Sequence, residues 1–403
     1  MSALDYKGFD FEITHTIEGT DSRAGILTTP HGTVETPHFI FCATKAAVRT
    51  ATMEQMREED TQFILGNTYH LMLQPGVEVL EKCGGLAKFT GWHGPMLTDS
   101  GGFQIFSLGH GGVAEEIKGK GSRQPSNTRL LEKITEEGAH IRSYVDGKKW
   151  LLTPEKSIEI QSKIGADIIL VLDECTPFHV DKEYTQKSMN MSHRWAKRSL
   201  EEFKRLEGKG SAGQQALYGI TQGGIYEDLR KDSAEFVNEQ PFFGHAVGGS
   251  LGQTKEQMRE VVRVATAHLR KDRPTHLLGI GGVEDIWMGV QHGIDTFDCV
   301  SPTRIARHGW ALVKDKDNGY RLNLKNAVHK MDERPIDENC ECSVCKGGYS
   351  RAYLNHLIKG KEMVVMNLVT IHNIHFMNKM MEEVRKSIIE NTYFEKRMEW
   401  IGQ

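Results

Sequence analysis

The chain alternates between short, almost continuous apolar runs and longer amphipathic stretches. The apolar runs are rich in β-branched and aromatic residues, and most of them end in Gly, Asn, Asp or Gln. Such runs are typical of strands that are buried on both faces of a sheet. Eight are present: HFIFCAT (38–44), FILGNTYH (63–70), MLTDSGG (96–102), DIILVLDE (167–174), LYGITQGG (217–224), HAVGGS (245–250), HLLGIGG (276–282) and TFDCVSPT (296–303).

Helical patterns lie between these runs, at 153–165, 192–208 and 254–271 among others. The first of them has a Thr cap, a Pro at the first helical position and a Gly after its end. Strands that alternate with helices predict parallel strands joined by crossover helices. Eight such units predict an α/β fold of the (β/α)8 TIM-barrel type, with reactive groups at the C-terminal ends of the strands. A doubly wound open sheet is the alternative that the pattern leaves open.

Two regions fall outside the repeating units. Residues 105–152 are longer than a crossover needs; VAEEIKGKGSRQPSNTR is polar and HIRSYVDGKKWLL predicts a hairpin, so we interpret the region as an insertion. From 310 onward the chain offers two short strands (ALV and YRLNL), a cysteine cluster and a helical end. We therefore predict a catalytic barrel over 1–309 and a zinc-binding subdomain over 310–403 packed on it.

The composition is that of an ordinary globular protein, with 38% hydrophobic and 26% charged residues. The first residues lack the pattern of a signal peptide and no apolar run could span a bilayer, so we expect a cytoplasmic protein without a membrane partner. The net charge of −4 argues against a protein that binds nucleic acid over its whole surface. Residues 304–361, however, contain 12 Lys or Arg and only 7 Asp or Glu. A localised polyanion site and a solvated surface both explain that surplus.

Three of the seven cysteines, Cys340, Cys342 and Cys345, lie within six residues of one another. Three thiolates on one tight loop are typical of a closed, structural zinc site, which requires a fourth ligand. The downstream histidines supply the candidates, and the TIHNIH segment is favoured because it can fold back over the loop: His356, His372 and His375. Three unliganded thiols are the alternative.

Aspartates follow three of the predicted strands: Asp99 in TDSGGFQ, Asp173 in VLDECTP and Asp298 in FDCVSPTR. At a barrel mouth, partial desolvation and neighbouring charges can tune the pKa of a carboxyl group. Two carboxylates suit glycosyl transfer, because one can attack the anomeric carbon while the other moves protons. Capping of a helix is the alternative role for any one of them.

Glycine pairs at 101–102, 223–224, 248–249 and 281–282 also follow predicted strands. Glycine permits close approach of the backbone to a flat ligand, and free N–H groups can bind base edges or phosphates. Tight turns between strand and helix are the alternative explanation for each pair.

Two arginines, Arg304 and Arg307, follow Asp298 closely. Guanidinium groups suit phosphate or base recognition, although both could be ordinary surface arginines.

Together, these segments resemble the tRNA-guanine transglycosylase family. DSGGFQ, DECTP, TQGG, AVGG, LLGIGG, FDCVSPTR and CxCxxC followed by TIHN occur in the family's order from about residue 20 to 395. The chain is similar to the queuine/preQ1 type, so we expect no further C-terminal RNA-binding domain like that of archaeosine-type members. The resemblance implies a (β/α)8 barrel with a zinc subdomain, a homodimer, and exchange of guanine at wobble position 34 of transfer RNAs with GUN anticodons.

The resemblance also implies a mechanism. Asp298 would attack C1′ of nucleotide 34, and guanine would leave to give a covalent ribosyl–aspartyl intermediate. Asp99 would deprotonate the incoming base, which then displaces Asp298 with overall retention. The target base must leave the stack of the anticodon loop before it can be reached.

Roles for other positions follow from the resemblance residue by residue. Asp173 would bind the guanidine-like edge of the purine, Gln222 and the backbone at Gly249 its carbonyl side, and Phe103 and Leu278 its two faces. The other implied pocket positions are Ser100, Gln104, Cys175, Gly252 and Gly279. Segments 279–285 and 303–307 would hold the RNA, through Gly281, Gly282, Asp285, Thr303, Arg304 and Arg307. One zinc ion would be bound by Cys340, Cys342, Cys345 and His372.

Two departures from the bacterial pattern concern the incoming base. Phe103 stands where many bacterial members have tyrosine and the queuine-using eukaryotic type has phenylalanine. Gly252 and Thr254 stand where the preQ1 type has valine and a glutamate that recognises the aminomethyl group. A smaller residue would make room for the cyclopentene ring of queuine. We therefore hypothesise direct insertion of queuine rather than preQ1.

Two other functions compete with this one. A metal-dependent hydrolase would need an open metal site in the barrel mouth, and no predicted strand ends in an HxH ligand pair. A non-catalytic RNA-binding partner subunit would not need a nucleophile, so the presence of both Asp99 and Asp298 argues against that function.

Overall fold

The computed structural model describes residues 4–105, 130–177, 179–249 and 251–403. Its centre is a closed barrel of eight strands, in which every neighbouring pair is parallel. The barrel strands follow one another in chain order: β1 (His38–Cys42), β2 (Ile64–Gly66), β3 (Met96–Thr98), β4 (Ile168–Leu170), β5 (Ala216–Thr221), β6 (Gly244–Val247), β7 (Thr275–Leu277) and β8 (Thr296–Asp298). The predicted (β/α)8 barrel is confirmed.

The open-sheet alternative is excluded by the contact between the last strand and the first. β8 pairs with β1 in parallel, with Phe297 opposite Phe39 and Asp298 opposite Ile40. Each of the eight apolar runs overlaps one barrel strand, and every residue of these strands is buried. The continuous apolar pattern thus has its physical cause in burial on both faces.

The helices surround the barrel and form much of the C-terminal tail, residues 310–403. They are Met53–Glu58, Thr68–Leu71, Val77–Lys82, Leu86–Thr90, Pro154–Ile164, Lys182–Arg205, Glu227–Glu239, Lys255–Ala267, Val283–Gln291, Ser301–Ala306, Ser343–Lys346, Arg351–Gly360, Val364–Ile389 and Tyr393–Ile401, with a π turn at Met72–Gly76 and a 3-10 turn at Ala327–Met331. The predicted caps are present: Thr153 accepts a hydrogen bond from the Lys156 N–H, and Gly165 ends that helix at φ +76°.

Four further sheets lie outside the barrel in the described residues, and one of them belongs to the C-terminal tail. The predicted hairpin is present as Ala139–Arg142 with Lys149–Leu152, and Leu131–Ile134 adds a third strand to it. The polar stretch 113–129 lies outside the described residues. An N-terminal antiparallel sheet, which was not predicted, is formed by Asp10–Thr16, Arg23–Thr29 and Gly32–Thr36. Very short strands pair at Lys209–Gly210 with Gly213–Gln214.

The N-terminal sheet is joined to the barrel floor by a buried ion pair. Arg23 Nη2 lies 2.6 Å from Asp295 Oδ2, and Asp295 directly precedes β8. The same guanidinium donates to the Arg273 carbonyl at 2.9 Å. This contact lies at the N-terminal ends of the strands and leaves their C-terminal ends open.

The tail packs closely on the barrel. Its two predicted strands pair as Trp310–Leu312 and Arg321–Asn323. The helix Val364–Ile389 packs against the helix that follows β8, and Asn373 on it links two segments: its Oδ1 accepts from the Leu312 N–H at 2.8 Å and its Nδ2 donates to the Pro302 carbonyl at 2.9 Å. The domain boundary at 309/310 stays a prediction. In the described ranges no helix is both long and apolar enough to cross a membrane.

Candidate active site at the barrel mouth

The C-terminal ends of the barrel strands bring the predicted site residues to one rim. In a parallel barrel these ends all lie on the same face, where the connecting loops can support reactive groups. Five predicted residues end a strand or follow one within two residues: Asp99 after β3, Gln222 after β5, Gly249 after β6, Leu278 after β7 and Asp298 at the end of β8. Asp173 lies three residues after β4.

Asp298 is held by donors from its two neighbouring strands, β7 and β1, and from the loop that follows β7. Its Oδ1 accepts a hydrogen bond from the Gly279 N–H at 2.9 Å and lies 3.2 Å from His276 Nε2. Its Oδ2 lies 3.5 Å from Cys42 Sγ. Only 8% of the residue is exposed. The carboxylate is therefore fixed in place, with its open side towards the mouth.

Asp99 is fixed by the segment that follows β2. The Thr68 N–H donates to its Oδ1 at 2.8 Å, while Gln104 Nε2 at 2.5 Å and the Asn67 amide both donate to its Oδ2. Loss of hydration raises the pKa of Asp99 to about 6, the three donors oppose that rise, and the charge of Asp298 adds to it. A carboxyl group with that pKa can both give and take a proton near neutral pH.

Asp173 lies deeper in the same mouth. Ser100 Oγ donates to its Oδ1 at 3.3 Å and Gln222 Nε2 donates to its Oδ2 at 2.6 Å. Burial raises the pKa of Asp173 to about 7, these two donors oppose the rise, and the charge of Asp99 adds to it. A Cβ on Gly102 would overlap Asp173 Oδ1, so the glycine permits a close approach here.

The loops after β5 and β6 are fixed to each other by a buried arginine. Arg230 donates to the Gly224 carbonyl at 2.7 Å and to the Gly248 carbonyl at 2.8 Å. The Gln222 N–H donates to Ser233 Oγ at 2.9 Å, which fixes the start of the same loop. Gly249 has φ +77°, a conformation that favours glycine. These contacts position Gln222 and the Gly249 backbone at the mouth.

The remaining predicted pocket residues lie at different depths. Ser100 and Gln104 are buried against the two aspartates, Cys175 and Leu278 are half-buried, and Gly279 is exposed. Phe103 has 49% of its surface exposed. The structure therefore brings the two predicted ring-contacting residues, Phe103 and Leu278, to the rim with partly accessible surfaces.

The presence of glycine at position 252 is explained by the local backbone, independently of the incoming base. It adopts φ +105°, and a Cβ there would lie 2.5 Å from Gln257 Oε1. Thr254 caps the next helix, because its side chain accepts from the Gln257 N–H at 3.2 Å. The backbone itself thus requires glycine at 252, which weakens the inference from residue size alone.

The predicted RNA-contacting residues lie beside the mouth. Gly281, Gly282 and Asp285 surround the start of the helix Val283–Gln291, with Asp285 Oδ1 3.6 Å from Lys255 Nζ. Thr303, Arg304 and Arg307 belong to the turn and helix after β8, where Thr303 is buried and Arg304 is exposed.

A third arginine extends this basic surface. Burial lowers the pKa of Arg307, and the charges of Arg49 and Arg304 lower it further. Because the charges of Arg49 and Arg304 both act on Arg307, the three arginines lie near one another. Such a cluster is suited to a polyanion.

Several residues that position the aspartates were not predicted from the sequence. Asn67 and Thr68 fix Asp99, His276 and Cys42 contact Asp298, and Arg230 joins two loops. Asn67 and His276 lie within two of the apolar runs, so the polar residues in those runs could have indicated them. Arg230 lies inside a helix pattern, where an arginine is usually on the surface.

The cysteine cluster is present with a histidine as its fourth member. Ligand atoms of Cys340, Cys342, Cys345 and His372 all lie within 4.8 Å of one another. The three Sγ atoms lie 3.5, 3.6 and 3.5 Å from His372 Nδ1. His372 Nε2 donates to the Leu312 carbonyl at 2.8 Å, which leaves Nδ1 as a ligand atom. In the described part of the chain this is the one group of at least three possible metal ligands.

The other two candidate histidines have different surroundings. His375 lies 2.6 Å from Glu59 Oε2 through its Nδ1, and His356 is exposed on the helix Arg351–Gly360. Glu59 also accepts a hydrogen bond from Ser343 Oγ at 3.2 Å, so it links the cysteine loop to the barrel. The sequence prediction that the fourth ligand comes from TIHNIH agrees with this arrangement.

A model of the family described as queuine tRNA-ribosyltransferase matches residues 18–403. This chain belongs to the queuine tRNA-ribosyltransferase family. A protein named queuine tRNA-ribosyltransferase from Roseiflexus sp. is 47% identical over 387 residues, which cover 94% of this chain and 96% of the relative. A relative of the same name from Staphylococcus aureus is 43% identical, covering 98% and 96%. One from Archaeoglobus fulgidus, named as putative, is 42% identical, covering 97% and 99%.

Membership in the queuine tRNA-ribosyltransferase family confirms the resemblance found in the sequence. The chain is a pentosyltransferase of transfer-RNA modification, and the guanine-exchanging activity inferred from its motifs agrees with that class. The non-catalytic partner subunit is not favoured, and the hydrolase has no support from the family.

Removal of one cysteine from the cluster should release the metal that these four ligands are arranged to bind. We expect Cys345→Ser to lower bound metal from about one per chain to well below one, and to lower Tm, because a structural site contributes on the order of 10 kcal/mol to folding. Cys83→Ser, at an exposed thiol outside the cluster, is the matched control. Equal metal content in the two variants, measured by elemental analysis, would contradict the assignment of the ligands.

Proposed function

We propose that this chain replaces guanine at wobble position 34 of transfer RNAs with GUN anticodons, those for Asp, Asn, His and Tyr, through a covalent bond to Asp298. The supporting observation is a pair of carboxyl groups at one mouth, each held by hydrogen-bond donors. The charge of Asp298 contributes to the pKa of Asp99, which is raised to about 6. A fixed carboxylate suits nucleophilic attack, and a carboxyl group that titrates near neutrality suits proton transfer.

In the first half-reaction, an oxygen of Asp298 forms a bond to C1′ of nucleotide 34. The bond from C1′ to guanine N9 breaks, and its electron pair leaves with the base. Asp99 gives its proton to the departing guanine, which therefore leaves as a neutral molecule. Since the charge of Asp298 contributes to the raised pKa of Asp99, the two groups are close enough to influence each other.

In the second half-reaction, Asp99 is a carboxylate and takes the proton from N9 of the incoming base. That nitrogen attacks C1′, and Asp298 leaves with the electron pair of its ester bond. Two displacements at C1′ give retention, as in retaining glycosidases with a base in the place of water. Asp99 ends the cycle protonated, so neither protons nor electrons are gained or lost.

Asp173, Gln222 and the Gly249 backbone are proposed to recognise the base at its edge, and Phe103 and Leu278 at its faces. A carboxylate at Asp173 can accept two N–H groups from a guanidine-like edge, while Gln222 and the Gly249 N–H can donate to a carbonyl. Ser100, Gln104, Cys175, Gly252 and Gly279 complete the pocket.

The RNA side of the site is proposed to lie next to this pocket. Gly281, Gly282, Asp285, Thr303, Arg304 and Arg307 would hold the loop around a base that has left its stack. The basic surface near Arg304 and Arg307 supplies the phosphate contacts, which carry most of the affinity and make it dependent on salt.

The incoming base is proposed to be queuine rather than preQ1. Phe103 is the residue of the queuine-using type, and Thr254 is a helix cap without the carboxylate that an aminomethyl group needs. Gly252 contributes less to this choice, because the local backbone requires glycine in any case.

The proposal predicts the outcome of a base-exchange assay. Wild-type protein should release labelled guanine from an anticodon stem-loop when queuine is supplied, and more slowly with preQ1. Asp298→Ala should abolish release, and Asp99→Ala should lower it by at least about a hundredfold, since it removes the proton carrier. Asp146→Ala, at an exposed hairpin carboxylate, should be as active as wild type. Release that survives in Asp298→Ala would contradict the mechanism, and exchange with preQ1 alone would contradict the choice of queuine.

Base binding should depend on pH through Asp173. Its pKa is raised to about 7, and the ionised form is the one that accepts from the base, so affinity should rise with pH and level off above about 7. Below that value it should fall about tenfold per unit of pH. Calorimetry in an Asp99→Asn background isolates this group, with a slightly lower midpoint because the charge of Asp99 is gone. Asp173→Asn should give weaker, pH-independent binding; an unchanged slope would contradict the role.

The metal is proposed to be zinc. A tetrahedral centre with Zn–S of about 2.3 Å and Zn–N of about 2.0–2.1 Å separates sulfur from nitrogen by about 3.5 Å. The three Sγ to Nδ1 distances are 3.5, 3.6 and 3.5 Å. With four protein ligands the ion stabilises the tail and leaves no position for substrate, so it takes no part in the chemistry.

A homodimer is proposed on the exposed apolar surface of the tail. Val328 is 76% and Met331 88% exposed on a turn that packs against the helix Arg351–Gly360, and Tyr349 and Tyr353 stack beside them with centroids 6.0 Å apart. Exposed apolar groups of this kind are typical of protein interfaces. A second copy of the chain is the proposed occupant.

A charge in this surface should separate the two copies. We expect Met331→Asp to be monomeric by sedimentation at concentrations where wild type is dimeric, because a buried unpaired carboxylate is costly. Met398→Asp, at a methionine 57% exposed on the terminal helix, is the control and should remain dimeric. A monomeric wild type, or a dimeric Met331→Asp, would contradict the proposed interface.

A further inference from the structure

His276 is a buried residue of β7 that lies between two side chains of β8. Its Nδ1 is 2.9 Å from Thr296 Oγ1 and its Nε2 is 3.2 Å from Asp298 Oδ1. Only 1% of the residue is exposed. Thr296 and Asp298 are two residues apart on one strand, so both side chains point to the same side, towards the interior of the barrel.

We propose that His276, oriented by Thr296, is a positioning residue that holds Asp298 Oδ1 and leaves Asp298 Oδ2 as the attacking oxygen. The inference rests on the proposed function, in which Asp298 is the nucleophile. It goes further because it assigns the attack to one of two chemically equivalent oxygens and names the side chains that distinguish them.

The two oxygens of Asp298 have different hydrogen-bond partners. Oδ1 accepts from the Gly279 N–H at 2.9 Å and from His276. Oδ2 has only the Cys42 thiol at 3.5 Å among the described residues, and a thiol is a weak donor. Hydrogen bonds withdraw electron density from the oxygen that accepts them, so Oδ1 is the poorer nucleophile.

The orientation of the imidazole ring follows from the chemistry of its two neighbours. A carboxylate oxygen can only accept a hydrogen bond, so Nε2 carries the hydrogen that faces Asp298. In the neutral ring Nδ1 then accepts from the Thr296 hydroxyl group, which fixes the tautomer. The sheet register sets both contacts, because His276 and Thr296 are directly paired residues of β7 and β8.

The same donors act on each half-reaction. When Oδ2 forms its bond to C1′, the bond from C1′ to N9 breaks and the electron pair leaves on the base. Oδ1 then becomes the carbonyl oxygen of the ester and still accepts from His276 and Gly279. When the incoming base displaces Asp298, the same two donors stabilise the carboxylate that leaves.

The test is single-turnover formation of the covalent adduct with an anticodon stem-loop. His276→Phe keeps a flat ring but removes the donor; we expect about a 10- to 100-fold loss in the rate of adduct formation and in kcat, with KM for the RNA nearly unchanged. His276→Gln places an amide N–H near the position of Nε2 and should restore most of the rate. Thr296→Val keeps the side-chain shape but removes the hydroxyl group, and should lower the rate by a smaller factor.

The outcomes separate this inference from the proposed function. Adduct formation by His276→Phe at the wild-type rate would overturn the role of His276, while loss of the adduct in Asp298→Ala would still support the nucleophile. An adduct that persists in Asp298→Ala would overturn the proposed function itself. Should His276→Phe fail to fold, Thr296→Val decides: a slower rate with unchanged KM supports the inference, and an unchanged rate overturns it.

Discussion

Closure of eight parallel strands in one register is the constraint on which the site depends. Once β8 pairs with β1, the end of every strand is fixed relative to the ends of its two neighbours. The residues that end the strands therefore lie close together in space, although they are far apart in the chain. Asp99 and Asp298 influence each other electrostatically for this reason. The ion pair of Arg23 with Asp295 on the opposite face joins the N-terminal sheet to the barrel without occupying the mouth.

Within this frame, the surroundings of each carboxyl group determine its chemistry. Asp99, Asp173 and Asp298 are the same residue type at equivalent places on the rim. Burial raises the pKa of Asp173 to about 7 and loss of hydration raises that of Asp99 to about 6, in each case against opposing donors. Asp298 is instead distinguished by the donors that fix it from β7 and β1. We propose that these differences in hydration and partners separate a proton carrier, a base-binding group and a nucleophile.

Much of this arrangement could be predicted from the sequence, because buried strands and helix caps require particular residue types at neighbouring positions. The eight apolar runs predicted the barrel strands, Thr153 and Gly165 predicted both ends of a helix, and the cysteine spacing predicted the cluster. The choice of His372 over His375 could not come from spacing. It depends on Glu59, which pairs with His375 from a distant part of the chain.

The residues that were missed owe their roles to contacts across the barrel. Asn67 and His276 resemble ordinary polar residues in an apolar run, and only the strand register shows that they face Asp99 and Asp298. The N-terminal sheet was missed because its first strand is mostly exposed and carries no apolar run. Gly252 has a second explanation that the sequence did not show, since its own backbone conformation requires glycine whatever the incoming base is.

The most direct test of this account is to identify the protein atom that carries the ribose. Wild-type protein should be trapped on an anticodon stem-loop with a guanine analogue that cannot re-attack, digested, and mapped by mass spectrometry. The account predicts a single modified peptide, with one nucleotide attached at Asp298. Attachment at Asp99 or Asp173, or a folded, metal-replete and RNA-binding protein that forms no adduct, would contradict it.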